Sequence, residues 1–304
     1  MSQTAPPRIV DAQSGVPHGE VGAVAPEALS AAESDAQQAC ARAEVEVVTP
    51  EEEAATRIIA DLGDQVWGPG GTFARNELRA LMHAGDPVHL ALDKTQAGHP
   101  VVGFAVGFLG WSPVLHVHSH QVGVLPGHRR RGVGLALKLA QRHTCLGHGI
   151  TDMRWTFDPL VRRNVTFNLR ALGATAVHFY ENFYGAMEDV INEGDASDRL
   201  EAIWALERPL PTARQELTAG SVAAPGPFVL IMRDGRPELT GVDLCPGAVM
   251  AVPADYESLR RDDRSLSRAW RAASREVLRA AYSKGLRIGR VTDAGYQLVD
   301  TEEA

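Results

Sequence analysis

Two groups of residues in this 304-residue chain combine types and spacing that could do chemistry. The first is Val122-Gly123-Val124-Leu125-Pro126-Gly127-His128-Arg129-Arg130-Arg131-Gly132-Val133-Gly134, between an apolar strand and an amphipathic helix. A strand that turns through glycines into a helix presents free backbone N–H groups, and the helix dipole adds about half a positive charge there. Together they make a site for a phosphate or pyrophosphate. Gly132 and Gly134 let the backbone approach the anion, and Arg129, Arg130 and Arg131 add a positive rim. A plain strand–helix turn with a solvated basic run is the competing reading. The chain has neither GxxxxGK[ST] nor a GxGxxG opening an early βαβ unit.

The second group is His116, His118 and His120, which alternate and so share one strand face. One of them could be a general base, since an imidazole titrates near 6.5. A metal site would need a fourth ligand or water and a supporting shell. Histidines packed under a helix are the third reading. Further along, Asp158-Pro159 ends a strand, where ligand crevices of open sheets lie. Asp158 could position a substrate amine, cap the following helix, or both. Asn164 and Asn168 stand at i and i+4 on that helix, facing either a ligand or solvent.

The elements that must position these residues follow from periodicity. Glu44–Val47 alternates as a strand, and Pro50 followed by three glutamates reads as a helix start. A second helix runs through Leu78 and Leu81 to a stop at Gly85. Strands are expected at 87–93, 101–110 and 114–125, a helix from Val133 to Cys145, and a strand at 151–157. A helix at 160–172 and strands near 174–180 and 200–207 complete the region. In the second strand Gly103, Ala105 and Gly107 leave one face nearly bare, with room for a helix or a ligand. The layout is mixed α/β rather than strict βαβ alternation.

Residues 1–43 are rich in Ala, Ser, Pro, Gly and Glu and read as a disordered tail, and Asp11, Glu20 and Glu27 argue against a transit peptide. A Pro/Ala/Gly-rich stretch at 209–227 reads as a linker. Residues 228–304 read as a small α/β region with two early strands, a helix at 263–283 and a final strand or two. That helix carries five arginines opposite an apolar face. It packs on the first domain or in a homodimer, with nucleic acid as the alternative.

A net charge of -8 gives no global case for nucleic acid. Three scattered cysteines argue against a disulfide framework or a Cys-rich zinc site and fit a reducing cytoplasm. No apolar run reaches the ~18–20 residues that span a bilayer.

Arg129-x-x-Gly132-x-Gly134 after the strand His120–Leu125 resembles the acyl-CoA motif of the GNAT superfamily of N-acetyltransferases. WTFDPLVRRNVTFN, the Tyr-x-Asn-x-Tyr-Gly run at 180–185, Asn192 with Asp198-Arg199 and Trp204, and VPADYESL with WRAASRE are similar to a bacterial subgroup with a C-terminal extension. The resemblance implies a mixed α+β fold with a central twisted mixed sheet flanked by helices over 44–208. It implies that the Val122 and Val124 backbone binds pantetheine. The amides of 129–134, Val133 among them, would hold the coenzyme A pyrophosphate. The acyl carbonyl would sit where strands 114–125 and 151–157 splay; from their own positions, Asn164 is a candidate coenzyme contact and Asp158 and Asn168 are candidate acceptor contacts. An amine of a small molecule would attack acetyl-, succinyl- or another acyl-CoA directly, with no metal.

That reaction needs a base for the amine and a donor for the oxyanion, such as the Val124 N–H. His120, near the splay, is the base candidate. Leu169 occupies the position of the family's usual acid tyrosine, four before Gly173, which leaves Tyr180 and Tyr184 as candidates. The missing tyrosine also motivates a rival reading, a non-catalytic acyl-CoA-binding module. A metal enzyme built on the strand histidines is a third.

Overall fold

The computed structural model describes residues 24–185, 195–211 and 226–301. Strands β1 (Val45–Val48), β2 (Val88–Asp93), β3 (Val101–Gly110), β4 (His116–Val124), β5 (Asp152–Phe157), β6 (Thr175–Tyr180) and β7 (Arg199–Ala205) form one sheet in the order β1-β2-β3-β4-β5-β7-β6. Only β4 and β5 run parallel, and their neighbours pair antiparallel. This is the mixed α+β architecture expected above, with helices on both faces.

One face is covered by α2 (Ala54–Trp67) and α3 (Arg75–Ala84), which bury Ile59, Leu62 and Leu78 against Val88, Phe104 and Val106. The helix expected at Pro50 starts at Ala54, so the three glutamates precede it. Gly85 ends α3 with φ of 85°, a left-handed stop that glycine accepts at no steric cost. The other face is covered by α4 (Val133–Gly147). A Cβ on Gly103 would come within 3.3 Å of both Leu137 and Val133. The bare face of β3 therefore admits a helix, not a ligand.

The tail reading is corrected from residue 26 onward. Pro26–Ala43 is a helix, α1, which packs on α4. Ala32, Ala39 and Ala43 are buried along its inner side, and Asp35 meets the buried Arg142 of α4 at 2.7 Å. Alanine is the best helix former, and small side chains let two helices approach closely. Residues 1–23 lie outside the described residues, as does most of the expected linker.

The C-terminal region has β8 (Phe228–Arg233), β9 (Arg236–Leu239), β10 (Val249–Met250), β11 (Leu286–Thr292) and β12 (Gly295–Asp300), in the order β11-β12-β10-β8-β9. Helices α6 (Tyr256–Asp262) and α7 (Arg264–Ser283) accompany it. Helix α7 lies against β6, where Tyr282 donates to the Ala176 carbonyl at 3.1 Å. Among its arginines, Arg271 pairs with Asp158 and Asp195, and Arg275 with Asp198. Among the described residues no helix is long and apolar enough to cross a membrane.

Candidate functional site

Strand β4 pairs with β5 only at Val117 and His118. Beyond that point β5 continues along β7, while β4 continues along β3 as far as Val124. The two strands thus diverge, and one edge of β4 faces a gap. Leu125 donates its N–H to Val102 of β3. Amides alternate in direction along a strand, so the N–H groups of Val122 and Val124 point into the gap. Arg129 Nε donates to the Val124 carbonyl at 3.3 Å, tying the loop to this edge.

The loop leaves β4 through a 3₁₀ turn at Pro126–His128. Arg130 has φ of 63° and Gly132 φ of 91°, two left-handed residues flanking Arg131. The first bond from α4 back to the loop is Ala136 N–H to the Gly132 carbonyl. Val133, Gly134 and Leu135 therefore head the helix with amides that have no carbonyl ahead of them. Arg129 and Arg130 are exposed beside them. Arg131 is different. Its guanidinium meets Asp93 at 3.0 and 3.4 Å, so it braces the loop instead of forming a rim, and only its backbone remains for an anion. Asp93 is shielded from solvent and also accepts from Thr95 and Gln96. Those bonds, led by Arg131, hold its carboxyl far below the usual carboxylate range.

The gap opens into a cleft of about 560 Å³. Its floor depends on a bulge. Between the pairs Val106–Gln121 and Phe108–His118, β4 carries three steps against two in β3. One extra residue in a strand resets its side-chain alternation. His120 and Gln121 therefore both line the cleft. Gln121 accepts from Thr72 at 2.6 Å and donates to the Gly71 carbonyl at 2.9 Å, pinning the α2–α3 loop over the site.

His120 sits among rings: Phe73 at 5.0 Å, His118 at 5.7 Å and Phe108 at 5.8 Å between centroids. Burial lowers its pKa below 6.5. Burial, then the neighbouring His120 and His116 and Lys138, push His118 down to about 4. Both imidazoles are neutral at pH 7, and His120 is the one at the cleft. His116 Nδ1 lies 2.8 Å from the Val114 carbonyl, away from a ligand role. No group of His, Cys, Asp or Glu among the described residues is arranged to hold a metal.

The two tyrosines part company. Tyr184 lines the cleft, with its hydroxyl 3.0 Å from Thr156 Oγ1. Tyr180 lies on the edge strand β6 and donates to Glu201 at 2.9 Å. Burial and that carboxylate push it up to about 12, and it does not line the cleft. It is therefore the poorer acid. Leu169 packs against the main core.

Asp158 reaches the cleft wall, but its carboxylate is committed. It accepts from both Arg271 nitrogens, at 2.8 and 2.6 Å, and from the Leu160 N–H at 2.8 Å. It fixes the C-terminal region and the turn after β5 instead of positioning an amine. The helix expected at 160–172 is α5 (Arg162–Thr166) followed by a π turn at Phe167–Ala171. The change of pitch removes Asn168 from the face of Asn164. Asn164 lines the cleft, whereas Asn168 is buried outside it. Asp198 pairs with Arg275, not with the Arg199 side chain, which donates to the Asp198 carbonyl. Asn192 lies outside the described residues.

Sequence reasoning missed Trp67, Thr72 and Gln121, whose role depends on the bulge. It also missed Glu257 and Arg260, which the C-terminal region sends into the cleft. The VPADYESL stretch held Glu257 in view without a reason to place it.

Residues 62–185 match the model of the acetyltransferase (GNAT) family, a span of less than half the chain. No curated protein matches the sequence. Similar solved structures include Arabidopsis thaliana Naa50 in complex with a bisubstrate analogue (15% identity, 53% of this chain and 97% of that one, TM-score 0.43). Ard1 from Thermoplasma volcanium is 15% identical over 56% of this chain and 99% of that one, TM-score 0.42. The yncA protein of Salmonella typhimurium, solved with acetyl-CoA, is 17% identical over 56% and 98%, TM-score 0.42.

Proposed function

We propose that this chain transfers an acyl group from coenzyme A, acetyl or succinyl, directly to an amine of a small molecule. The observation that carries the reading is the divergence of β4 from β5, with the Val122 and Val124 amides facing the gap and the left-handed loop heading α4 beside it. The family match over 62–185 supports the same reading. Pantetheine would extend β4 as a strand-like partner, and its pyrophosphate would meet the amides of 130–135. A cleft of this size suits a small acceptor.

In this reading the neutral His120 takes the proton from the attacking amine, directly or through water. The Val124 N–H faces the gap where the oxyanion would form. The leaving thiolate is stable enough to need modest help, and Tyr184 supplies its proton. The chain's own residues do all of this, and the coenzyme contributes the activated thioester.

Free-thiol release tests the assignment. His120→Gln should lower kcat by roughly 10²–10⁴ with acyl-CoA KM unchanged. In the parent, kcat/KM should fall as pH drops through the depressed His120 pKa, because protonation removes the base. That limb should vanish in the variant, and a limb that persists points to another base. Tyr184→Phe should cost about tenfold in kcat, the low end for a general acid because the thiolate leaves readily. An unchanged kcat gives the proton to solvent.

A further inference from the structure

We propose that the transferred acyl group ends in a carboxylate, and that Arg154 receives it at the point where β4 and β5 meet. This rests on the transfer reading and selects a dicarboxylic acyl-CoA, such as succinyl-CoA, over acetyl-CoA.

The strand register puts Arg154 at a particular place. His118 and Arg154 are the last pair between β4 and β5 before the two strands part. Thr156, two residues further along β5, lines the cleft, so Arg154 shares its face of the sheet. His118 stands opposite on that face, stacked on Phe108 at 5.1 Å and 5.7 Å from His120. The closed end of the gap therefore carries a guanidinium and an imidazole beside the proposed base.

Arg154 is 9% exposed, and its Nε is buried without a hydrogen-bond partner. Among the described residues the only carboxylate within 4.0 Å is that of Asp152, at 4.0 Å and so beyond hydrogen-bond reach. Glu201, opposite Thr156 on β7, accepts from His178 and Tyr180 instead. A buried guanidinium normally meets an acid or carbonyls. Arg142 and Arg271 of this protein do so. Arg154 does not, and it is an unpaired donor set at the end of a gap that leads from the cleft.

The opposite face adds to the effect. Lys138 of α4 is buried, with Nζ 3.6 Å from the Trp155 ring centroid and 3.5 Å from Met153 Sδ. Met153 pairs with Val117, so this second cation lies at the same level of the gap. Burial brings its pKa down to about 7, and an arriving anion would favour its charged form.

The direction of approach assigns the carboxylate to the acyl chain. Pantetheine laid along the open edge of β4 runs from the head of α4 toward the closed end, so a chain on its sulfur points at Arg154. A four-carbon diacid sets its carboxylate roughly 4–5 Å beyond the carbonyl carbon, against ~6.6 Å for two residues of strand. Acetyl ends short of it. The arginine fork matches a planar carboxylate in a site with little water.

The experiment is calorimetry on the full chain with coenzyme A, S-butyl-CoA and S-(3-carboxypropyl)-CoA. The two thioethers differ only in a terminal methyl against a carboxylate, and neither can be transferred. The acid should bind about 100-fold more tightly than S-butyl-CoA. Arg154→Met should erase that preference and leave coenzyme A and S-butyl-CoA affinity unchanged. Its Tm should hold or rise, because an apolar side chain of similar size replaces an unpaired buried charge. Arg154→Lys keeps the charge without the fork and should retain part of the preference, which decides the case if the first variant fails to fold. Equal affinity for the two thioethers in the parent, or a preference that survives Arg154→Met, overturns the assignment. So does a preference for free amino acids over their amides, read with coenzyme A present and lost in Arg154→Met, which would give Arg154 to the acceptor. If coenzyme A itself does not bind, the transfer reading falls too. If coenzyme A and S-butyl-CoA bind and the acid gains nothing, only the acyl assignment falls.

Discussion

Gly134→Trp should leave the protein folded and reduce coenzyme A affinity by at least about 100-fold, or ~2.7 kcal/mol. The prediction follows from what surrounds this residue. A Cβ at Gly134 would find only Val124 Cγ2, at 4.0 Å, so the fold leaves space there. That space lies at the head of α4, between the amides of the first turn and the open edge of β4. An indole placed in it competes with the pyrophosphate, not with the core. Gly134→Ala is the control and should keep both fold and binding, since alanine is the better helix former. Gly132 is not equivalent. Its φ of 91° strains any side chain, so a bulky residue there would confound binding with folding. Calorimetric titration with coenzyme A, beside thermal unfolding of each variant, separates the cases. Unchanged affinity in Gly134→Trp would mean that this loop does not hold the coenzyme.

Arg271→Met should destabilise the protein by about 3–5 kcal/mol at pH 7, the usual result of breaking a buried ion pair by removing one partner. Arg271 is 4% exposed and stands between Asp158 and Asp195, which it bonds through three nitrogens. Burial alone would raise the Asp158 pKa. The charge and bonds of Arg271 outweigh it and hold the carboxyl below its ordinary 3.8. A depressed acid contributes stability above its unfolded pKa, and that contribution is lost as pH falls through the folded value. In the variant burial is left largely unopposed, so Asp158 should favour its neutral form and stability should fall as pH rises above about 4. The deficit is therefore largest near neutrality and shrinks toward pH 4. Urea unfolding of both proteins across that range checks it. A deficit independent of pH would assign the loss to packing instead.

The sheet was largely legible from residue patterns, because its strands alternate or run apolar between clear turn signals. The loop that heads α4 was legible for the same reason: glycines and a helix start are local features. Three things were not. Helix α1 hid behind a composition of alanine and small polar residues, since it packs through close approach and not through large apolar side chains. The bulge in β4 has no local signature, yet it decides that Gln121 joins His120 at the cleft. The carboxylates Asp158 and Asp198 looked available because their partners, Arg271 and Arg275, lie far along the chain. Spacing within a motif cannot show that a distant helix has already used its acid. Tyr180 and Tyr184 illustrate the same limit: four residues apart in sequence, they reach different surroundings because β6 ends at the first.

The order β5-β7-β6 also sets what can exist as an independent piece. The family-matched span ends at 185, before β7 begins at Arg199. Within that span β6 would have no strand to pair with, and β5 would keep only its short pairing with β4. Arg142 would lose Asp35 and the carbonyls of Leu206 and Arg208, and Asp158 would lose Arg271. The recognisable segment thus leaves some of its own strands and buried charges without the partners they have in the whole chain. Those partners lie on both sides of the segment, from α1 to β12, so an excised piece that keeps these contacts carries both flanks with it.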